Sequence, residues 1–160
     1  MQESKYKLAI KQYKRVIQYI GIPDDFESDL KEQAKETILA GYLNLAMCYL
    51  KIENFIETQR NCDKALELDP KNEKGLFRRG QAYFGQKDYE LSKKDFLRLL
   101  EIDPNNNAAK SKILDCNSKI KEHKEKEKKK YKNMFEIFAK RDSEVSRFFW
   151  NLIVLKLNFV

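Results

Sequence analysis

A chain of 160 residues is one domain's worth, and its 5 Gly and 3 Pro argue against a turn-rich β-sandwich or barrel. With 36% charged and 42% hydrophobic residues, collagen-like and wholly disordered classes are also excluded. The net charge of +7 is concentrated, because residues 119–132 hold eight Lys and three Glu and so contribute +5. We therefore expect a helical domain with no nucleic-acid partner and with one local basic segment, for which an acidic partner and an anionic lipid both remain open.

The first part of the chain predicts two helices. Residues 5–20 carry apolar side chains at helical spacing, and a polar connection follows from Gly21 to about Lys31. Residues 33–52 show the same spacing. No basic head with an apolar run of signal-peptide length precedes them, so we expect a cytoplasmic protein, with the nucleus as a further location.

From about residue 39 the sequence repeats itself with a period of 34 residues, which indicates stacked units. The matched pairs are Ala46 with Gly80, Tyr49 with Tyr83, Phe55 with Tyr89, Leu66 with Leu100, Asp69 with Asp103 and Pro70 with Pro104. Each unit predicts two helices joined by a tight turn. The Asp-Pro pair ends the second helix, because proline disfavours a helical conformation in the residue before it, and the Asn residues that follow can cap the next helix.

The two units resemble tetratricopeptide repeats. The residues that fit that family's pattern are Tyr42, Leu45, Ala46, Tyr49, Ala65, Pro70, Leu76, Gly80, Tyr83, Phe96 and Pro104, while Thr58, Cys62, Arg79 and Leu99 depart from it. The resemblance implies an all-α solenoid of helical hairpins, in which the first helix of each unit lines a concave groove. Residues 5–20 would then be the second helix of a first repeat whose first helix lies upstream of Met1. The uncovered apolar face would favour self-association.

After Pro104 the helical pattern resumes at Ala108 and continues to about residue 142, which predicts a long C-terminal capping helix. We expect residues 1–142 to form the repeat domain and residues 143–160 a divergent tail. Ten of the 13 residues from Phe148 to Val160 are apolar, too few for a membrane span of ~20 residues. Insertion in a membrane surface, covering of the first-repeat face of another copy, and a read-through product all remain open for this tail, and no membrane partner is expected for the domain.

The sequence offers little for catalysis or metal binding. Three widely spaced cysteines and the single histidine, His123, predict neither a disulfide framework nor a zinc module. There is no glycine-rich phosphate loop and no carboxylate pair in an apolar setting. We therefore expect no enzyme, no metal and no cofactor.

Three side chains predict a binding site for a carboxylate-rich peptide. Lys74 and Arg78 occupy groove-facing positions one helical turn apart in the second full repeat, and Asn44 occupies such a position in the first. Arg78 can chelate a carboxylate, Lys74 adds a point charge and Asn44 donates an amide hydrogen bond. The alternative is that both cations are ordinary solvated helix residues.

Four segments, residues 43–51, 62–69, 72–80 and 131–135, are closely similar to the tetratricopeptide domain of the large FKBP-type immunophilins, which are peptidyl-prolyl isomerases and co-chaperones. The resemblance implies binding of the C-terminal Met-Glu-Glu-Val-Asp peptide of heat-shock protein 90 by a dicarboxylate clamp. Asn44 would hold the terminal carboxylate, and Lys74 and Arg78 the aspartate side chain. Met47 and Phe77 would contact the valine or methionine, with core packing as the alternative for Met47.

The chain departs from that family at its beginning. The remaining clamp donors come from the first helix of repeat one, and Gln2 stands where the family has Lys. Losing one or two charge-assisted hydrogen bonds of ~1.5–3 kcal/mol each weakens a peptide site by roughly tenfold to a thousandfold or more. An isomerase domain would also lie upstream. The competing interpretation is therefore a scaffold with a non-functional clamp.

The basic segment supports a second partner. Residues 119–140 place Tyr131, Met134, Phe135 and Phe138 among many lysines, the composition of a calmodulin-target helix. The alternative is a solvated capping helix with weak Glu-Lys pairs, whose 131–138 stretch packs on the last repeat.

Overall fold

The computed structural model describes residues 2–20 and 28–157, which form six α-helices and, within those ranges, no strand. The helices are α1 (Gln2–Ile20), α2 (Ser28–Lys51), α3 (Phe55–Leu68), α4 (Glu73–Gly85), α5 (Tyr89–Ile102) and α6 (Asn107–Leu157). The predicted all-α fold is confirmed. The predicted connection from Gly21 to Lys31 lies largely outside the described residues, and α2 begins at Ser28, earlier than expected.

Side-chain caps explain where the repeat helices begin. The carboxamide of Asn72 accepts a hydrogen bond from the backbone N–H of Gly75 at 3.0 Å, and Asn54 and Asp88 cap α3 and α5 in the same way. Asn106 accepts from the N–H of Ala109 at 3.0 Å. These bonds satisfy N–H groups that the first helical turn leaves unpaired, so the predicted capping by the Asn that follow each Asp-Pro pair is confirmed.

The turns between paired helices have the same left-handed corner. Glu53, between α2 and α3, has φ 56°, and Lys87, between α4 and α5, has φ 67°. The two residues are 34 positions apart. The 34-residue repeat is therefore also present in the backbone conformation of these turns.

From α1 to α5, consecutive helices pack against each other, and apolar side chains between them form the core. Leu45, Ala46, Cys62, Ala65, Leu76, Phe96 and Leu99 are almost completely buried in this core. Gly80 is a close-approach position, because a Cβ there would lie 2.9 Å from the Phe96 ring. The repeat positions that the sequence identified are thus the packing positions of the solenoid.

One ion network ties three helices together. Arg79 of α4 donates from Nε and Nη2 to the two carboxylate oxygens of Asp95 on α5, and from Nη1 to Asp63 on α3, each at 2.7 Å. The Asp95 side chain is 4% exposed and that of Arg79 15%. The hydrogen bond to Asp95 is the largest cause that raises the pKa of Arg79. This network fixes α4 between its neighbours.

The outer face of α1 is uncovered. Ile10 is buried and Tyr13 and Ile17 pack toward α2, but Leu8 and Tyr19 on α1 are 62% and 87% exposed. This agrees with the expected bare face of the first repeat. Self-association through it stays a prediction.

The chain divides into two compact units, up to Lys119 and from Ile120 onward. In the first unit α6 begins as a packed helix, where Ala109 and Cys116 are buried and the Cys116 thiol donates to Ser92 Oγ at 3.3 Å. No helix in the described part of the chain is both long and apolar enough to cross a membrane.

In the second unit two sequence-based expectations are wrong. The helix does not end near residue 142 but continues to Leu157. The expectation that the 131–138 stretch is buried is wrong, because its large apolar side chains are 40–67% exposed. The values are 58% for Tyr131, 40% for Met134, 67% for Phe135 and 48% for Phe138. The spacing of apolar residues defines a face of a helix but carries no information about what covers it. The boundary predicted after residue 142 falls inside α6 and stays a prediction.

Candidate functional site

A groove of about 580 Å³ lies along the first helices of the repeats. Its lining is Met47, Leu50 and Lys51 from α2, Glu73, Lys74, Phe77, Arg78 and Gln81 from α4, and Leu99, Asn106 and Ala108 from the following elements. The floor is apolar. Three cations and one carboxylate line it, so the groove carries a net positive charge suited to an acidic ligand.

Arg78 is held in place by the backbone of a neighbouring repeat. Its Nη1 donates a hydrogen bond to the carbonyl oxygen of Leu43 on α2 at 2.7 Å. The side chain is half-buried, and this burial lowers its pKa from the usual guanidinium value. A guanidinium nevertheless stays protonated at any physiological pH. Because only one of its five N–H groups is used by Leu43, Arg78 can still bind a carboxylate.

Lys74 lies one turn before Arg78 on the same face of α4. Its side chain is exposed, and in the part of the chain that the structure describes no carboxylate pairs with it. The ammonium group is therefore available as a point charge at the edge of the groove.

The other predicted site residues differ in how far the structure brings them to the groove. Phe77 lines it and meets the ring of Phe96 edge-on, with centroids 5.5 Å apart. Met47 lines it and also packs against the core cluster, so both interpretations of this residue fit. Asn44 is half-buried but is not among the lining residues. It lies next to Leu43, whose carbonyl holds Arg78, and one turn before Met47.

Several residues that line the groove were not predicted from the sequence. Lys51 and Gln81 line the groove, and each lies two helical turns after a predicted residue, Asn44 and Lys74. Seven residues return an α-helix to nearly the same face, so this spacing could have identified both. Leu99, noted only as a departure from the repeat pattern, also forms part of the floor.

The three cysteine thiols of the chain are buried, which makes them poor nucleophiles. Cys48, Cys62 and Cys116 are free and buried. Desolvation raises the pKa of the Cys62 thiol to about 12 and also raises the pKa of Cys48. A thiol acts as a nucleophile only as the thiolate, so these side chains serve as packing groups. Among the described residues no group of His, Cys, Asp or Glu is placed to hold a metal ion.

Stacked helical hairpins with a 34-residue period and a groove along their first helices define a tetratricopeptide-repeat domain. Two profiles described as tetratricopeptide repeat match residues 39–72 and 73–106. These two matches adjoin and cover both repeats that the offset of 34 had indicated.

The chain is 44% identical over 142 residues to the peptidyl-prolyl cis-trans isomerase FKBP4 of Bos taurus. The aligned region covers 89% of this chain and 31% of that protein. It is 34% identical over 142 residues to FK506-binding protein 59 of Drosophila melanogaster, again 31% of that protein. The chain thus spans about a third of the length of the curated relatives it matches.

Among solved structures, the human RPAP3 second tetratricopeptide domain, determined in complex with the HSP70 peptide SGPTIEEVD, superposes with a TM-score of 0.57 and 28% identity, covering 72% of this chain and 84% of that one. The chain therefore contains two tetratricopeptide repeats, which lie within a region of 142 residues that it shares with the FKBP4-type isomerases. The match lies in the C-terminal repeat region of those relatives, and these repeats are non-catalytic.

Proposed function

We propose that the groove binds the acidic C-terminal peptide of heat-shock protein 90, of the Met-Glu-Glu-Val-Asp type, and that the chain acts in this way as a co-chaperone module in the cytoplasm. The observation that carries the proposal is the pair Lys74 and Arg78, one turn apart on the wall of an apolar groove. The RPAP3 domain, a structural relative at 28% identity, was solved with a chaperone peptide that also ends in Glu-Glu-Val-Asp.

Binding would proceed by electrostatic capture without turnover. Arg78 forms the stronger contact, because a guanidinium presents two parallel N–H groups to one carboxylate and Leu43 already restricts its side chain. Lys74 neutralises the same aspartate from the edge of the groove. Asn44 would donate its amide to the terminal carboxylate, and Met47 and Phe77 would cover the apolar peptide side chains.

The direct test is fluorescence anisotropy with a labelled Met-Glu-Glu-Val-Asp peptide. A charge-assisted hydrogen bond contributes about 1.5–3 kcal/mol, so Arg78→Ala should weaken binding by about ten- to 150-fold. Lys74→Ala should have a smaller effect, because its ammonium is exposed. Lys94→Ala is the matched control, since Lys94 is an exposed lysine of α5 outside the groove lining.

Two further measurements identify the contacts. Binding should weaken as salt is raised, because exposed charge pairs are screened over a Debye length of ~10 Å at 0.1 M. An amidated peptide should bind more weakly, and Asn44→Ala should remove that preference. Absence of binding by the unsubstituted chain, or equal binding by Arg78→Ala, would refute the proposal.

A further inference from the structure

Residues 128–147 of α6 form an amphipathic stretch that the peptide groove does not use. Six large apolar side chains there are 40–67% exposed: Tyr131, Met134, Phe135, Ile137, Phe138 and Val145. At 3.6 residues per turn their positions fall within an arc of about 160°. This is the width of apolar stripe that a helix normally buries, and here it faces solvent.

The rest of this stretch is strongly basic. Residues 128–147 contain seven Lys or Arg and three Asp or Glu, a net charge of +4. At 100° per residue Lys128 lies about 20° outside one end of the apolar arc and Lys130 about 20° inside the other end, and both are exposed. Arg141 and Asp142 also fall within the arc. The guanidinium of Arg141 lies 5.7 Å from the centre of the Phe138 ring, so its charged end sits beside the apolar face. Cations beside a stripe of aromatic side chains are complementary to a surface with an apolar interior and an anionic outer layer.

We propose that residues 128–147 lie on an anionic phospholipid surface, with Tyr131, Phe135 and Phe138 buried at the level of the headgroups. A helix with an aromatic apolar face and a basic polar face lies in the plane of such an interface, and aromatic rings are stable at that depth. Twenty residues of helix are about 30 Å long, and their lysine stems can extend past the rings to reach the phosphates.

Charge selects this occupant over a second copy of the chain. Pairing two of these stretches would bring +4 against +4, whereas each Lys near an anionic leaflet strengthens attachment by about fivefold. From the sequence, an anionic lipid was only one of two partners open to a local basic helix, no membrane partner was expected for the domain, and the 131–138 stretch was expected to pack on the last repeat.

The test is flotation of the full chain with vesicles, at low salt and at about 0.5 M salt. We expect flotation with phosphatidylcholine vesicles that contain roughly 30 mol% phosphatidylserine, reduced by salt, and none with phosphatidylcholine alone. Phe135→Ser/Phe138→Ser should abolish flotation. The control Ile56→Ser/Leu114→Ser, which changes two side chains that are 59% and 70% exposed elsewhere, should float normally.

A charge series completes the test. Lys128→Gln/Lys130→Gln should weaken attachment by about 25-fold, whereas Lys94→Gln/Lys110→Gln, two exposed lysines in the first unit, should change it little. Unchanged peptide binding and unchanged circular dichroism would show that each variant is folded, so that failure here is distinct from failure of the groove.

Equal flotation with neutral vesicles, or flotation that the Phe135→Ser/Phe138→Ser variant retains, would overturn the proposal. So would a dimer in sedimentation equilibrium that Phe135→Ser/Phe138→Ser dissociates while no vesicle is bound. Calcium-dependent retention on calmodulin without vesicle binding would overturn it in favour of a protein groove.

Discussion

Replacing Arg79 with Met should destabilise the repeat array far more than a surface ion pair would suggest. The substitution leaves the carboxylate of Asp95, whose side chain is 4% exposed, without either of its two 2.7 Å hydrogen bonds. Removing one partner of a buried pair costs about 3–5 kcal/mol, because the remaining charge has lost its solvent and its counter-ion. A domain is stable by only about 5–15 kcal/mol, so this is a large fraction of the whole.

Urea unfolding followed by circular dichroism at 222 nm measures this loss. Arg60→Met is the matched control, because Arg60 also forms a 2.7 Å pair, with Glu57, but its side chain is 68% exposed. We expect it to cost less than about 1 kcal/mol. Arg79→Met/Asp95→Leu should recover much of the stability, since no buried charge is then left unpaired. If Arg79→Met costs no more than Arg60→Met, the network does not hold α4 in place and the reasoning is wrong.

Three further predictions concern capping, packing and titration. Asn72→Ala should lower the unfolding free energy by about 1 kcal/mol, because it removes the N-cap of α4, while Asn105→Ala, an exposed residue whose side chain caps nothing, should not. Gly80→Ala should lower the free energy of unfolding by about 1–3 kcal/mol, because the added Cβ would lie 2.9 Å from the Phe96 ring. The midpoint of urea unfolding measures this loss. Stability should fall as pH rises above about 9, because the buried Cys62 thiol keeps its proton up to about 12 while the unfolded thiol, at 9.0, releases it. Urea unfolding curves of the unsubstituted chain and of Cys62→Ala at a series of pH values measure this effect. An equal loss of stability in both chains above pH 9 would contradict the prediction.

Much of the fold could be predicted because the sequence repeats its packing residues. Phe96 and Gly80 occupy family positions, and their contact in the structure explains why one is large and the other lacks a side chain. The Asp-Pro pairs and the Asn that follow them mark helix ends by local chemistry, which needs no knowledge of tertiary contacts.

The site was only partly predictable. Lys74 and Arg78 share a helix face, and that follows from their spacing. The bond from Arg78 to the Leu43 carbonyl could not be predicted, because every residue carries a backbone carbonyl and only the packing of α2 on α4 selects this one. The Arg79 network could not be predicted for a similar reason. Asp63 and Asp95 are each 16 residues from Arg79 in the sequence, and only helix packing brings the three side chains together.

The contact between Arg78 and Leu43 limits how this module can be rebuilt. A single hairpin transplanted into a foreign array would bring Lys74 and Arg78 with it, but not the carbonyl that orients the guanidinium. The smallest portable recognition element is therefore a pair of adjoining hairpins, and grafting experiments should exchange them together.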